Sequence, residues 1–138
     1  MVVPLVVGGI LLVVLVLLFR PVARTGAVAY AQANLRRAAE AAEDLATDGS
    51  LADADREMLA ARGVVDDLLL IDPDQSSNDP EVVSVLATRS AWTGSARAET
   101  GECFWIRVAA TGGTVVGTGT DCSADEASEA EPGGWPEP

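Results

Sequence analysis

The pattern of apolar and polar residues first marks a long apolar segment. The 18 residues Val2–Phe19 include no charged residue, and as a helix they would measure about 27 Å, close to the thickness of a bilayer core. We therefore expect a retained transmembrane helix over residues 1–20. A cleaved signal peptide and a buried core helix are the alternatives, but no basic residue precedes the segment. The residues expected to contact lipid are Val2, Leu5, Ile10, Leu15 and Phe19.

The segment after Phe19 has the spacing of an amphipathic helix. Pro21 lacks a backbone donor, so we expect a kink there. Apolar residues then follow at steps of three and four, which places them on one helix face. They are Val28, Ala31, Leu35, Ala38, Ala42 and Leu45. Asp48-Gly49 is a suitable end, because glycine adopts the left-handed conformation that closes helices. The pattern predicts an amphipathic helix over residues 21–49 that continues the membrane segment.

The pattern changes to short β-prone runs beyond residue 50. A short helix comes first, capped by Asp53 and ended by Gly63. Four runs rich in β-branched and aromatic residues follow. They are Val64–Ile71, Val82–Ala87, Phe104–Ala109 and Thr114–Thr118. Residues 72–81 and 93–102 are predicted polar connections. We expect residues 50–122 to form a head with a small antiparallel sheet, and the whole chain to be an α+β fold in which the long N-terminal helix packs against this sheet.

The last two runs flank Gly112-Gly113, which predicts a two-residue hairpin turn. With this turn, residues whose numbers sum to 225 lie opposite each other, and the chain's two cysteines, Cys103 and Cys122, have that sum. We predict a disulfide between them, which indicates an oxidising compartment. Two unrelated buried thiols are the alternative. A zinc site is disfavoured, because two thiolates without histidine supply only half of the ligands.

One face of the predicted hairpin is suited to pack on the helix. Phe104, Ile106 and Val108 alternate along their strand and so share this face. The residues expected at the interface are Val28, Leu35 and Leu45 of the helix with Phe104, Ile106 and Val108 of the strand. In the predicted register Val115, Gly117 and Gly119 lie on the same face, where two glycines would let the helix backbone approach closely.

Charge and composition narrow the range of functions. The net charge is −12, from 21 acidic and 9 basic residues, and histidine is absent. Such a surface repels phosphate groups, so we expect no nucleic-acid partner. Histidine is the commonest general base and metal ligand. We therefore expect no enzyme activity, catalytic residue, metal site or cofactor. The acidic residues of the loop Asp72–Glu81 do not have the spacing of an EF-hand calcium site.

The C-terminal residues 123–138 are predicted to form an acidic disordered tail. The sequence SADEASEAEPGGWPEP contains five acidic residues, three prolines and no basic residue, a composition that rarely forms a packed core. Trp135 is either a docking residue within this tail or a residue without a role.

The order of these parts resembles that of type IV pilins and type II secretion pseudopilins. AYAQANLRRAAEAAEDLATDGSL is similar to the family's Ala-rich helix, and GECFWIRV…VVGTGTDCSA is similar to the closing hairpin of actinobacterial pilin-like proteins. Pro21 matches the proline that ends the family's membrane-embedded segment. The resemblance implies a pilin-like fold and a structural subunit. It would form homo- or hetero-oligomers with other pilin-like subunits in a surface filament or pseudopilus.

Two features bear on an alternative function and on the orientation in the membrane. Pro4 stands where the family has a glutamate, which favours a non-polymerising single-pass membrane protein with a small extracytoplasmic binding head. Arg20 and Arg24 follow the apolar segment, and by the positive-inside rule they favour a cytoplasmic C-terminal part. The predicted disulfide favours the opposite side. We expect a cell-membrane protein whose C-terminal head is extracytoplasmic.

Overall fold

The computed structural model describes residues 26–63 and 65–136. Pro21 and the residues expected to contact lipid lie outside the described residues. Within the described ranges, no helix combines the length and the apolar character needed to cross a membrane.

The described chain folds into helices packed on one five-stranded sheet. Helix α1 covers residues 26–46, and a 3-10 turn at Leu51–Asp53 follows. The remaining elements are α2 (Arg56–Arg62), β1 (Leu69–Ile71), β2 (Val82–Ala87), β3 (Ala91–Arg97), β4 (Cys103–Ala109), β5 (Thr114–Gly119) and α3 (Ala124–Glu129).

The N-cap of α2 lies two residues after the one that the sequence predicts, whereas the predicted closing glycine is correct. Asp55, and not Asp53, caps α2 by accepting a hydrogen bond from the backbone N–H of Met58. Asp53 instead forms a capping box with Ser50 around the 3-10 turn. Gly63 ends α2 with φ 69°, in the left-handed conformation expected of a closing glycine.

The strands lie in the order β1-β2-β3-β4-β5. β1 and β2 are parallel, and the other neighbours are antiparallel. The predicted fold class is therefore wrong in two respects: the sheet is mixed, and no described helix is apolar enough to include a membrane half. The broad α+β class describes the chain. The sheet is mixed because residues 72–81 form a crossover that returns the chain to the starting end of β1, where the sequence suggests only a turn.

The sequence pattern also misses β3, the central strand, because it resembles a polar connection. Trp92, Gly94 and Ala96 lie on the side of β3 that faces α1, whereas Thr93 and Ser95 lie on the other side. All five are buried, because both faces of this strand are covered. Small side chains suit such a position, since helices approach from both sides.

α1 lies along one face of the sheet. The six residues expected at the helix–sheet interface all belong to one hydrophobic core and are at most 6% exposed. Ala31, Ala38 and Ala42 of the same stripe are 0% exposed. Their small side chains bring the helix backbone close to the strands, which is the packing that the 3-4 spacing predicts.

The β4–β5 hairpin has a different register from the one that the sequence predicts. Phe104 pairs with Thr118, because Ala109 bonds to Gly113 across a loop of residues 110–112. The register moves by an odd number of residues, which exchanges the two faces of β5. Gly117 therefore lies on the face away from α1. The predicted approach of the helix to the β5 glycines is wrong.

The predicted disulfide between Cys103 and Cys122 is confirmed, with a Cα–Cα distance of 5.2 Å. Its register argument is nevertheless wrong, since Cys103 pairs with Gly119. The chain turns back after β5, and Cys122 adopts φ 54° as it returns to the sheet. The bridge thus joins the first residue of β4 to the segment that leads into α3.

The segment after the disulfide is folded where the sequence predicts a disordered tail. α3 packs on the sheet face opposite α1, with Ala124 and Ala127 buried at 0% and 1% exposure. Ser123 caps the helix by accepting a hydrogen bond from the N–H of Glu126. The composition suggests disorder because the segment contains five acidic residues, three prolines and no basic residue. The disulfide at Cys122 places the start of the helix on the sheet, and two buried alanines then complete the contact.

Candidate functional site

A groove runs between the C-terminal half of α1 and the edge strand β5. It consists of two adjoining cavities of about 330 and 390 Å³, and Glu43 and Thr114 line both of them. The buried side chains of Ile106 and Val108 form apolar parts of its wall. We call it the α1–β5 groove. Its size and apolar wall are those of a surface that can receive a side chain or a short segment.

The amino acids of α1 leave this space open. Ala39 and Ala46 line the two cavities, and each is a position where a larger side chain would fill the groove. Glu40 and Glu43 are exposed and line the groove on the same helix. The groove therefore combines an apolar wall with carboxylates along the helix side.

Trp135 binds beside the first cavity. Its indole Nε1 donates to the carbonyl oxygens of Trp105 and Gly117, each at 3.1 Å. Its ring meets Phe104 edge to face, with centroids 6.3 Å apart. The guanidinium of Arg36 lies 5.0 Å from the ring centroid. The edge-to-face contact with Phe104, the hydrogen bonds to two carbonyls and the guanidinium of Arg36 together hold the Trp135 side chain in a specific position.

The backbone next to Trp135 also contacts the edge of the sheet. The N–H of Gly134 donates to the carbonyl of Val116 at 3.0 Å. Val116 lines the first cavity. The chain thus passes from α3 on one face of the sheet, around the β5 edge, to the groove on the other face. This contact resembles the start of an added strand.

The β5 glycines shape the face that α3 covers. A Cβ at Gly117 would overlap the indole of Trp105, and a Cβ at Gly119 would overlap the carboxylate of Glu126. Trp105 is 1% exposed, and its Nε1 donates to the carbonyl of Thr118 at 3.2 Å. The two glycines therefore give room to side chains of β4 and α3.

Two charged side chains hold α3 in place. Arg107 donates through Nη2 to the carbonyls of Ala127 and Ala130 at the end of the helix, which satisfies terminal carbonyl groups. Glu126 accepts hydrogen bonds from the backbone and hydroxyl of Thr120 and from the N–H of Asp121. Burial raises the pKa of Glu126, but these hydrogen bonds outweigh it, and the pKa lies below its usual value.

Polar contacts join α1 to the segments that precede β1 and β2. The buried amide of Asn34 donates to the carbonyl of Pro80 at 2.8 Å. Arg37 forms a two-pronged ion pair with Asp67, at 2.6 and 2.8 Å. The hydrogen bond from Arg37 holds the pKa of the Asp67 carboxyl below its usual value. Sequence periodicity did not indicate these contacts, because they join distant residues.

The acidic loop considered for calcium is engaged in contacts within the protein. Asp72 forms an ion pair with Arg56, and Asp79 accepts a hydrogen bond from the N–H of Glu81 at 2.9 Å. Ser77 donates through its backbone to the carbonyl of Cys122 at 2.9 Å. In residues 26–63 and 65–136, no group of three or more His, Cys, Asp or Glu residues is placed to hold a metal ion.

The predicted residues contribute only part of the groove. Ile106 and Val108 belong to its wall, whereas Phe104 lies beneath Trp135. Sequence analysis left the role of Trp135 open. The sequence PGGWP around Trp135 carries a signal of its own, because a large aromatic residue between turn-forming residues is suited to dock as a single side chain.

Comparison of the chain with known protein families, with curated proteins and with solved structures gives no match. The geometry of the groove and the order of the parts are therefore the basis for assigning a function.

Proposed function

We propose that the chain is a pilin-like structural subunit, held at the membrane by Val2–Phe19, whose head assembles with other subunits outside the cytoplasm. The head comprises α1, the sheet and α3. Assembly is the function that this combination of an apolar segment and a small, firmly closed head supports best.

The observation that carries the proposal is the attachment of α1 to the sheet. Residue 26 is already helical, shortly after Phe19 in the sequence. From there the helix contributes a continuous buried stripe to the core. Asn34 donates a hydrogen bond to the loop before β2, and Arg37 pairs with Asp67 in the segment before β1. A force on the N-terminal segment would therefore pass along α1 into the whole sheet, as a load-carrying subunit requires.

The disulfide supports an extracytoplasmic head. Cys103 and Cys122 are bonded to each other, and neither is free. Structural disulfides persist in oxidising compartments and are rare in the cytosol. This bridge closes the sheet and α3 into one unit, which suits a domain exposed outside the cell.

A second candidate function is a non-polymerising membrane protein that binds a partner through its head. The α1–β5 groove favours this candidate, because it offers an apolar wall beside exposed carboxylates. Pro4, in place of the glutamate of the pilin family, favours it as well.

Shear fractionation with crosslinking separates the two candidates. Cells that produce the full-length chain are sheared, and the released surface fraction and the membranes are treated with a dihydrazide crosslinker and a carboxylate-activating reagent, because the chain has 21 acidic residues and no lysine. Assembly predicts a ladder of homomultimers and release of the chain into the sheared fraction. Retention in the membrane with only monomer after crosslinking would contradict assembly and leave the binding-head candidate.

A matched pair of variants makes this test more specific. Close packing between apolar helices depends on small residues, and Gly8 and Gly9 are the small residues of the apolar segment. We expect the Gly8→Leu, Gly9→Leu double variant to reduce the ladder. The Val6→Leu, Val7→Leu variant adds the same two leucines and should leave the ladder unchanged.

A further inference from the structure

The binding site of Trp135 is formed entirely by residues outside the C-terminal segment. Its partners lie on α1, β4 and β5: Arg36, Phe104, Trp105 and Gly117. Gly134 adds its hydrogen bond to Val116 on the same strand. The same groups could therefore receive the indole of another copy of this segment.

The connection to Trp135 is suited to such a movement. Residues 131–133 are exposed, and Gly134 adopts φ 76°, where other residues are strained. α3 has separate attachments, namely the disulfide at Cys122 and the hydrogen bonds from Arg107. Release of Trp135 would therefore leave α3 in place and expose the groups that Trp135 contacts.

We propose that the Trp135 site, at the Arg36 end of the α1–β5 groove, binds the Gly133–Trp135 segment of a second copy of this chain, so that neighbouring subunits exchange their C-terminal segments. The inference rests on the proposed assembly function, which supplies neighbouring copies at high local concentration. The segment of a second copy would make the same contacts as the segment of the same chain. Which of the two occupies the Trp135 site then depends on their relative local concentrations.

The charges around the groove are consistent with this occupant. Arg36 lies over the indole ring, and the acidic residue Glu131 lies two residues before Gly133 in the segment. Glu40 and Glu43 line the groove farther along α1. They would repel an acidic segment there, so the incoming segment is confined to the Arg36 end. The second copy's indole takes the place of Trp135, and its Gly134 takes the backbone bond to Val116.

A peptide tests whether the groove binds this segment in trans. The probe is a fluorescein-labelled peptide of sequence EPGGWPEP, titrated into the full-length protein in detergent micelles and followed by fluorescence anisotropy. We expect the Trp135→Ala protein to bind the peptide about tenfold more tightly than the unchanged protein, in which Trp135 competes from the same chain. The control peptide EPGGAPEP should bind neither protein. Equal binding of the two peptides, or equal affinity of the two proteins, would overturn the inference.

The fold of the acceptor is checked independently. Far-ultraviolet circular dichroism and the intact Cys103–Cys122 bridge verify the Trp135→Ala protein. The Trp135→Phe protein retains an aromatic ring but lacks the indole donor. In this protein the chain's own segment, with phenylalanine in place of the tryptophan, binds the site more weakly and competes less with the peptide. The affinity of the Trp135→Phe protein for EPGGWPEP should therefore lie between those of the other two proteins. An affinity outside this range would contradict the assigned contacts.

Co-purification tests whether a second copy is the donor. Tagged Trp135→Ala protein is the acceptor, and it is co-expressed with either an untagged unchanged chain or an untagged Trp135→Ala chain. We expect the unchanged donor to be recovered several-fold more efficiently. Equal, substantial recovery of both donors would preserve assembly and overturn segment exchange. Recovery of neither donor would contradict both the exchange and the proposed assembly.

Discussion

At the scale of single residues, Gly117 determines where a tryptophan can lie. The indole of Trp105 crosses β5 at this position, where a Cβ would overlap the ring. Trp105 also donates to the carbonyl of Thr118 and lies under the guanidinium of Arg107, 4.7 Å from the ring centroid. The ring therefore has little freedom to move aside for an added methyl group.

We predict that Gly117→Ala lowers the free energy of unfolding by about 1–3 kcal/mol, the usual cost of an added group in a well-packed core. Gly133→Ala is the matched control, because a Cβ at Gly133 meets nothing within 4 Å. It should change the stability little. Urea denaturation of the full-length chain in detergent micelles measures both effects. A Gly117→Ala protein as stable as the control would contradict the position assigned to Trp105.

Glu126 gives a second prediction at this scale, which depends on pH. Its carboxylate accepts hydrogen bonds from Thr120 and Asp121, and its pKa in the folded protein is lowered. The carboxylate therefore stabilises the protein fully at a pH above its pKa in the unfolded chain. This stabilisation is lost as the pH falls through the folded pKa.

We expect Glu126→Gln to lower the free energy of unfolding by about 1 kcal/mol at pH 7, because an amide offers one acceptor oxygen where the carboxylate offers two. The difference between the two proteins should shrink below pH 4. Denaturation curves of both proteins at pH 7, 5 and 3.5 measure this difference in the free energy of unfolding. A difference that stays constant over this range would show that the Glu126 charge does not contribute.

At the scale of elements, α1 is the part that was most predictable from the sequence. One of its faces is buried and the other is exposed, so the apolar residues repeat with the helical period. β3 was not predictable in this way, because both of its faces are covered and small residues such as Gly94 and Ser95 carry no alternation. The hairpin register was also missed, because Gly112-Gly113 permits both a two-residue and a three-residue loop.

The buried stripe of α1 leads to a prediction about its attachment. Leu35 is 0% exposed, whereas Leu69 on β1 is 62% exposed. We expect Leu35→Ala to lower the free energy of unfolding by about 2–5 kcal/mol and Leu69→Ala to lower it by much less. The substitution is the same in both variants. Apart from the difference between a helix and a strand, the two positions differ in how deeply the leucine is buried. Comparable losses in denaturation experiments would contradict the packing of α1 on the sheet.

At the scale of the whole molecule, the sheet is enclosed by parts that are distant in sequence. α1 covers one face and α3 the other, and the segment after α3 returns around β5 to the first face through Trp135. The composition of residues 123–138 suggested disorder, because composition alone does not reveal that the disulfide at Cys122 attaches this segment to the sheet. The membrane segment Val2–Phe19, the kink at Pro21 and the pilin-like function remain predictions.

The disulfide connects these layers, and its removal should weaken the whole head. Its sequence separation is 19 residues, and closing a loop of this size stabilises a fold by about 3 kcal/mol in the chain-entropy description. We expect the free energy of unfolding of the Cys103→Ser, Cys122→Ser double variant to be lower by about this amount. Hydrogen exchange in α3 should accelerate more than exchange in α1. Reduction of the unchanged protein should reproduce both effects, and a reductant should not affect the variant.

The central claim is that the head is extracytoplasmic and closed by its disulfide. The most direct measurement is the thiol state of the native protein, with free thiols alkylated at the moment of cell lysis and the peptides then analysed by non-reducing mass spectrometry. The account predicts a linked peptide pair that contains Cys103 and Cys122, with no alkylated form of either. Recovery of both cysteines in alkylated, unlinked peptides would contradict it.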